Sequence, residues 1–273
     1  MSLVLLFLGI PKSTHYDRLS NKRHQENSPE SVTQIRDLCE SFKFKIGIRQ
    51  IKMELEFNHG IIINHKKIAR IKKQYAIPTL IRRKSRWRAI MKKEQEHRTA
   101  RNLIERNFKA DRPDQKYTTD VTEMHFKNKK VYISAIKDLF SKEIISFDVG
   151  LSNNIEFTNK TLNRALRKLP KDKLENLIIH SDQGFNYTHH SYREKLRKYG
   201  VRQSMSRKGN CLDNAPIESF FGLIKDHIDI AACNNLAELE KEIASEINYY
   251  NRHRPQLGLQ KMPPKKFRRL FEN

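Results

Sequence analysis

Three short runs rich in β-branched and aromatic residues follow one another between residues 116 and 150, and this succession most limits the fold of the 273-residue chain. In the second run, Val131, Ile133 and Ala135 alternate with other residues, as in a strand. Helical patterns and two more short apolar runs then alternate towards the end of the chain. This order predicts an α/β fold, a mixed five-stranded sheet with helices on its faces.

A change in sequence character at Pro113, in the segment RPDQ, marks the predicted main domain boundary, because a proline disfavours a continuing helix. We predict a small helical DNA-binding region over residues 1–81 and a basic linker or helix over residues 82–112. Residues 94–112 keep a helical pattern. Residues 113–273 are predicted to form the α/β core with a C-terminal helical tail.

The N-terminal region contains three short helical patterns, and the third is strongly basic. Ser28 is placed to cap the first helix and Asn64 to cap the third, in which Ile68 and Ile71 would face inward. The other face of the third helix would carry Lys66, Lys67, Arg70, Lys72 and Lys73. This arrangement resembles a helix-turn-helix module whose last helix lies in the major groove of DNA. A solvated lysine face is the alternative.

Charge points to a polyanionic partner. The chain has 54 lysine and arginine residues against 31 aspartate and glutamate residues, a formal net charge of +23. Nucleic acid is the leading candidate because neutralising phosphates releases counterions, with an anionic membrane or a ribosomal surface as alternatives. The opening apolar run, residues 1–10, is too short to span a bilayer, so we expect no membrane association. Three separated cysteines form no CxxC pair, which fits a reducing cytoplasm.

Three acids occupy positions from which they can meet at one edge of the sheet. Asp120 lies in the first strand, Asp182 follows the apolar strand LIIH, and Glu218 lies in the first turn of the next-to-last helix. Grouped carboxylates repel one another, and Mg²⁺ or Mn²⁺ would relieve that repulsion. Two ions roughly 3.5–4 Å apart can clamp the attacking and leaving oxygens of a phosphodiester. The chain is therefore a candidate for phosphoryl transfer on DNA.

Each acid taken singly has an ordinary structural interpretation. An aspartate in a strand is usually structural, and a glutamate in the first turn of a helix usually serves the helix dipole. Asp138 and Asp148, after the second and third strands, compete for a place in the site, and spacing alone does not exclude Asp138. His180, beside Asp182, is either a packed histidine at a strand end or a proton shuttle.

Three segments, YTTDVT, HSDQGFNY and SMSRKGNCLDNAPIESFF, resemble the signature segments of DDE insertion-sequence transposases, the branch related to retroviral integrases. Between Asp182 and Glu218 there are 35 residues, the spacing of that branch, and Lys225 follows Glu218 by seven residues, as in the family. The tail YYNRHRPQLGLQKMPPKKF resembles the closing segment of the family. The resemblance covers roughly residues 112–268, and several ordered motifs carry it.

This resemblance implies an RNase H-like core in which Asp120, Asp182 and Glu218 form a catalytic triad that holds two Mg²⁺ or Mn²⁺ ions. It implies strand cleavage at the ends of a mobile element and attack of a 3′-hydroxyl on target DNA. Lys225 would contact DNA near the site, and Arg207 and Lys208 would lie at phosphates. We further expect a homo-oligomer in a synaptic complex, in the bacterial cytoplasm at the nucleoid.

The resemblance also leaves alternatives and departures. Tyr117 stands where many relatives have tryptophan, and Phe185 replaces a usual small residue. The family's chemistry is often split between two reading frames, and the abrupt N-terminus suits a second frame whose partner is the first-frame product. An RNase H-like nuclease would need the acids but neither the tail nor Lys225. A non-catalytic DNA-binding regulator would need only the basic helix of residues 64–74.

Overall fold

The computed structural model describes four stretches of the chain: residues 28–80, 99–167, 169–207 and 211–272. The opening apolar run, most of the predicted basic linker and Lys208 lie outside these ranges. The predicted domain boundaries therefore stay predictions. Within the described stretches, no helix is long and apolar enough to cross a membrane.

Within residues 28–80, the N-terminal unit contains three helices: α1 (Pro29–Ser41), α2 (Ile48–His59) and α3 (His65–Gln74). The side chain of Asn64 accepts a hydrogen bond from the Lys66 N–H at 2.9 Å, which confirms the predicted cap of α3. Ser28 precedes α1, but its hydroxyl meets that of Ser31 at 2.7 Å instead of a backbone N–H. Isoleucine and leucine side chains from all three helices share one buried cluster.

A five-stranded mixed sheet in the order β3-β2-β1-β4-β5 forms the centre of the second unit and confirms the predicted architecture. The antiparallel strands β1, β2 and β3 are consecutive in the chain, whereas β4 and β5 run parallel to β1. Their bounds are β1 Lys116–Phe126, β2 Lys129–Asp138, β3 Ile144–Gly150, β4 Ile178–Ser181 and β5 Arg202–Met205.

Helices cover both faces of the sheet, so β2 is apolar on both sides. Ile133 points into a cluster with α8 (Ala215–His227) and α9 (Leu236–Arg252). Ile136, of opposite parity, points into a cluster with α4 (Ile155–Leu166) and α7 (His190–Lys198). Full burial of each such side chain stabilises the fold by about 1.5–3 kcal/mol. The remaining helices are α5 Lys171–Asn176, α6 Phe185–Thr188 and α10 Pro264–Arg269.

The predicted helical pattern before Pro113 is wrong for residues 99–112, which form turns and extended chain. Tertiary contacts override the pattern there. The side chain of Asn102 accepts hydrogen bonds from the two N–H groups that open a turn, at 3.1 and 2.9 Å. The Leu103 N–H donates to the Ser204 hydroxyl on β5 at 2.9 Å, and Ile104 packs in a small cluster at the start of β4.

Candidate active site

Asp120 and Asp182 lie at the same edge of the sheet. Thr118 of β1 is aligned with His180 of the parallel strand β4. Continuing this register by two residues places Asp120 beside Asp182, which follows β4 directly, and neighbouring strands lie about 4.8 Å apart. Both carboxylates are half-buried, and the charges of both act on the phenol of Tyr187. The register and this shared neighbour together bring the two acids to one place.

A tight turn orients the Asp182 carboxylate. Its Oδ1 accepts a hydrogen bond from the Gly184 N–H at 2.7 Å. A Cβ atom at position 184 would lie 2.7 Å from the same oxygen, closer than side-chain atoms tolerate. A larger residue at this position would therefore displace the Asp182 carboxylate. On β1, Asp120 Oδ1 accepts from the Val121 N–H at 2.8 Å.

Tyr187, in α6, is a buried phenol on which the charges of both acids act, and the sequence motifs did not predict a role for it. Burial, followed by the charge of Asp120, raises the pKa of Tyr187 well above its ordinary value. Its hydroxyl makes no hydrogen bond of normal geometry within the described residues, although the Thr119 hydroxyl is close enough to lower that pKa in part. The phenol therefore keeps its proton at neutral pH. In the sequence, Tyr187 could have been noticed as the last residue of the HSDQGFNY segment.

Helix α8, which carries the third predicted acid, Glu218, is tied to β1 and β2 at its start. The Thr118 hydroxyl donates to Asn214 Oδ1 at 2.6 Å, and Lys137 Nζ donates to the Pro216 carbonyl at 2.9 Å. Glu218 follows Asn214 by about one helical turn and is exposed, whereas Phe220 and its neighbour on α8 are buried in the core. Phe220 and Phe221 therefore anchor this helix to the core.

Asp213 secures the loop before α8. It is buried, and its carboxylate accepts from the Arg207 N–H and Nε, each at 3.1 Å, and from Arg106 Nε at 2.8 Å. Hydrogen bonds from Arg207 first, and then from Arg106, hold the pKa of Asp213 well below its ordinary value. The Arg207 side chain is still 61% exposed while it makes this contact, so its role at a phosphate stays a prediction.

Comparison with known proteins places this geometry in a family. The integrase core domain family matches residues 110–211 and, in a second form, residues 199–264, and an HTH-like domain matches residues 28–85. InsK of insertion sequence element IS150 from Escherichia coli (strain K12) is 34% identical over 260 residues, which cover 95% of this chain and 90% of InsK. The chain belongs to the insertion-sequence transposases. The predicted family, its integrase-type core and the HTH-like region are thereby confirmed.

One further curated relative and one solved structure are similar to this transposase. A transposase-like protein of Haemophilus influenzae is 39% identical over 225 residues, 79% of this chain and 98% of the relative. The magnesium complex of the HTLV-2 integrase catalytic core domain, in its dimeric form, is 18% identical in sequence with a TM-score of 0.47. That structural match covers 59% of this chain and 99% of the integrase domain.

The competing acids of the transposase have structural partners. Asp138 is buried, accepts hydrogen bonds from the Ser141 hydroxyl and N–H at 2.6 and 3.0 Å, and has a pKa raised by burial. Asp148 is paired with Lys160 at 2.9 Å and with Arg164 at 3.1 Å. Asp138 closes a turn, and Asp148 neutralises basic side chains of α4. Both competitors therefore have structural roles, and the choice of Asp120 for the site stays a prediction.

His180 is a packed residue and not an exposed proton shuttle. Its side chain is almost fully buried, and Nδ1 lies 2.8 Å from the Ser204 hydroxyl on β5. Burial lowers the pKa of His180, which keeps the imidazole neutral. Its contact with Ser204 connects β4 to β5 directly before Asp182, so it supports the strand end at the site.

The predicted DNA-contacting lysines occupy two different places. Lys225 lies two turns beyond Glu218 on α8, is half-buried, and donates to the backbone carbonyl of Glu123 on β1. Lys66 and Arg70 are exposed on α3 and Lys67 is half-buried, in the HTH-like unit. These contacts with DNA stay predictions.

Assigning Lys72 to the exposed basic face of α3 was wrong. Its Nζ donates to the Pro78 carbonyl at 2.9 Å and lies 3.6 Å from Cys39 Sγ, and only 7% of the residue is exposed. The aliphatic part of a lysine can pack in a core while its ammonium group finds a nearby carbonyl. The helical pattern of charge did not distinguish this residue from its neighbours.

The carboxylates of this edge have the chemistry that divalent cations require. Mg²⁺ and Mn²⁺ prefer oxygen ligands, and Asp120, Asp182 and Glu218 each retain exposed surface. Over the described part of the chain, no group of three or more His, Cys, Asp or Glu side chains is gathered closely enough to hold an ion. The structure thus pairs two of the predicted acids and places the third on the adjoining helix, one turn from its anchor at Asn214.

Proposed function

We propose that the transposase cleaves DNA at the ends of its element and joins the resulting 3′ ends to target DNA, with Asp120, Asp182 and Glu218 as the metal-holding catalytic acids. The observation that carries this proposal is the alignment of Asp120 and Asp182 at one sheet edge, to which Asn214 ties the helix that bears Glu218. Bound Mg²⁺ or Mn²⁺, expected as a pair, would activate a water or 3′-hydroxyl and stabilise the leaving oxygen.

The chain itself orients the acids and provides the charge that DNA needs. Backbone N–H groups of Val121 and Gly184 hold the carboxylates of Asp120 and Asp182 in fixed orientations. Such fixed positions lower the reorganisation required during reaction. Lys225, on the same helix as Glu218, adds a positive charge for the DNA backbone beside the site. A homo-oligomer and a first-frame partner stay predictions.

Strand cleavage with a DNA end of the element and Mg²⁺ tests the proposal. We expect the wild type to nick and join this DNA and Glu218→Gln to lose both activities, because the substitution removes only a charge. Glu123→Gln is the matched control, since Glu123 lies on β1 beyond Asp120 and makes an exposed ion pair with Lys130 at 3.2 Å. Equal cleavage by the wild type and Glu218→Gln would reject the assignment of the acids.

A non-catalytic DNA-binding role is the second candidate, and the exposed positions of Lys66 and Arg70 on α3 favour it. In that case DNA would be bound without cleavage by the wild type or any variant. Lys66→Gln with Arg70→Gln should then weaken binding and reduce its salt dependence by about 0.9 for each lost phosphate contact. Arg36→Gln with Arg49→Gln, exposed on α1 and α2, is the control of equal charge. Cleavage of an RNA–DNA hybrid but not of element DNA would indicate an RNase H-like nuclease instead.

A further inference from the structure

A groove of about 770 Å³ lies between α4 and α7, on the sheet face opposite α8. Its lining is mostly basic and polar. We call it the α4–α7 groove and define it by Asn159, Lys160, Arg164, Arg167, Ser191 and Lys195. The residues of α4 that line it recur at intervals of three or four, so they form one stripe along the helix.

One end of the α4–α7 groove lies near the segment that follows Asp182. Helix α4 begins after Asn154, and the preceding Asn153 accepts a hydrogen bond from the side chain of Asn186. Asn186 lies next to Tyr187 in the segment that follows Asp182. From residue 156 to residue 167 the stripe extends about 16 Å, roughly the axial length of five base pairs. The groove therefore leads away from the edge where the acids meet.

The base of the groove holds a polar group with an unmet bonding requirement. Asn159 is 5% exposed; its Nδ2 donates to the Ser191 hydroxyl at 3.0 Å, and its Oδ1 makes no hydrogen bond with the described residues. Because Ser191 can donate as well as accept, the amide can turn over and present an unmatched N–H instead. Either orientation leaves room for a polar ligand or a bridging water.

The charges of the groove favour an anion. Lys160 and Arg164 share the single carboxylate of Asp148, at 2.9 and 3.1 Å. Arg167 and Lys195 make no ion pair with any residue in the described ranges. Among the described residues that line the groove, Glu156, at the α4 start, is the one acid. The four basic side chains in and beside the groove therefore outnumber the two carboxylates, Asp148 and Glu156, along a surface long enough for several phosphates.

We propose that the α4–α7 groove binds the sugar–phosphate backbone of DNA that runs past the active-site edge. This inference rests on the proposed function for its DNA substrate, and it adds a second contact surface on the opposite face of the sheet from Lys225. The same chemistry would accept the flank of the element end or the target duplex. Backbone contacts of this kind set orientation and affinity without reading sequence.

Binding measurements on the full chain test the groove without cleavage. Arg167→Gln with Lys195→Gln removes two groove cations that pair with no described carboxylate. The matched control is Arg193→Gln with Lys198→Gln, which removes the same residue types from exposed positions on α7 outside the groove. Fluorescence anisotropy with an element-end duplex and an unrelated duplex, without divalent metal, gives the salt dependence of each affinity.

In the groove variant, the slope of the logarithm of the binding constant against the logarithm of the salt concentration should be smaller in magnitude by about 1.8, or about 0.9 for each lost phosphate contact. The control should change this slope much less. Glu156→Gln should change binding in the opposite direction, towards higher affinity, since it removes the groove's acid. Loss confined to the element-end duplex would assign the groove to the element flank, whereas equal loss on both duplexes would assign it to target DNA.

An unchanged slope, or the same loss in the groove variant and the control, would overturn the groove as a binding surface. Thermal unfolding of all variants should coincide, because the substituted side chains are exposed or half-buried. A cleavage assay with Mg²⁺ on the wild type separates the two proposals. If the wild type does not cleave DNA but the groove variant has a reduced salt slope, the proposed activity is rejected and the groove remains a DNA-binding surface. If the wild type cleaves normally and the slopes are unaltered, the groove is rejected and the proposed activity stands.

Discussion

The Thr118 hydroxyl donates a 2.6 Å hydrogen bond to Asn214 Oδ1, and this bond joins the strand that carries Asp120 to the helix that carries Glu218. Both partners are buried. Thr118→Val keeps the shape of the side chain but leaves the Asn214 oxygen without its donor. We expect a loss of about 1–3 kcal/mol in the free energy of unfolding, measured with urea, and slower strand cleavage by the folded variant.

Ser134→Ala is the control for this substitution. Ser134 of β2 is aligned with Val121 of β1, and its buried hydroxyl has no hydrogen-bond partner in the described stretches. Removing this hydroxyl should therefore change the free energy of unfolding by less than about 0.5 kcal/mol. If Thr118→Val lowered stability but left cleavage at the wild-type rate, the bond would serve the fold alone.

Gly184→Ala should impair cleavage much more than folding. The added Cβ would lie 2.7 Å from Asp182 Oδ1 and displace this carboxylate, so we expect cleavage to fall at least about tenfold, an order that small misplacements of catalytic groups reach. Gly222→Ala, inside α8, is the matched control because a Cβ there meets nothing within 4 Å. That substitution should stabilise the protein by about 0.5–1 kcal/mol. Comparable activity of the two variants would contradict the role of Gly184.

Tyr187→Phe tests whether the phenol proton beside the acids matters for the reaction. Removing a buried hydroxyl that lacks a hydrogen bond of normal geometry should leave stability unchanged or slightly higher. Cleavage should fall, because the hydroxyl lies within the influence of both Asp120 and Asp182. Tyr192→Phe provides the comparison, since burial also raises the pKa of Tyr192 but neither acid acts on it. Equal cleavage rates of the two variants would show that the Tyr187 hydroxyl is dispensable.

Stability in acid should depend on Asp213. Hydrogen bonds from Arg207 and Arg106 hold its folded-state pKa below the unfolded value of about 3.9. Its contribution is therefore complete above that value and is lost as the pH falls towards the folded-state pKa. In urea unfolding between pH 7 and pH 3, Asp213→Asn should be less stable at neutral pH and should lose less stability on acidification. Glu194 forms an exposed ion pair with Arg197, and Glu194→Gln should lose stability on acidification to nearly the same extent as the wild type. Parallel curves for Asp213→Asn and the wild type would refute the prediction.

Local sequence patterns were sufficient for the sheet and for the start of α3. Alternation of Val131, Ile133 and Ala135 predicted a strand, and these three residues do share one face and one hydrophobic cluster. Asn64 predicted a cap because an asparagine side chain reaches the N–H two residues ahead without help from the rest of the fold. Such features depend on neighbours in the chain, so they can be read before any tertiary contact is known.

Long-range partners were beyond those patterns. Asn251, in the YYN segment of the tail, accepts from the Ile144 N–H at 2.9 Å and donates to its carbonyl at 3.0 Å, which fastens α9 to the start of β3. Separate contacts bury Lys72, beside Cys39 and the Pro78 carbonyl, and turn residues 99–112 away from a helix through Ser204. Nothing in residue type or spacing distinguishes these positions, because the partner that decides each one lies elsewhere in the sequence.

By itself, the sequence determined the family, the strand succession and the three candidate acids, since motif order and periodicity are local properties of the chain. Only the tertiary structure decided which acids meet. It aligned Asp120 with Asp182 through the parallel register of β1 and β4, and it engaged Asp138 and Asp148 in other contacts. It also buried Tyr187 where the charges of both acids act on its phenol. The physical reason is that strand register and the packing of α8 on β1 depend on contacts between residues that are distant in the chain.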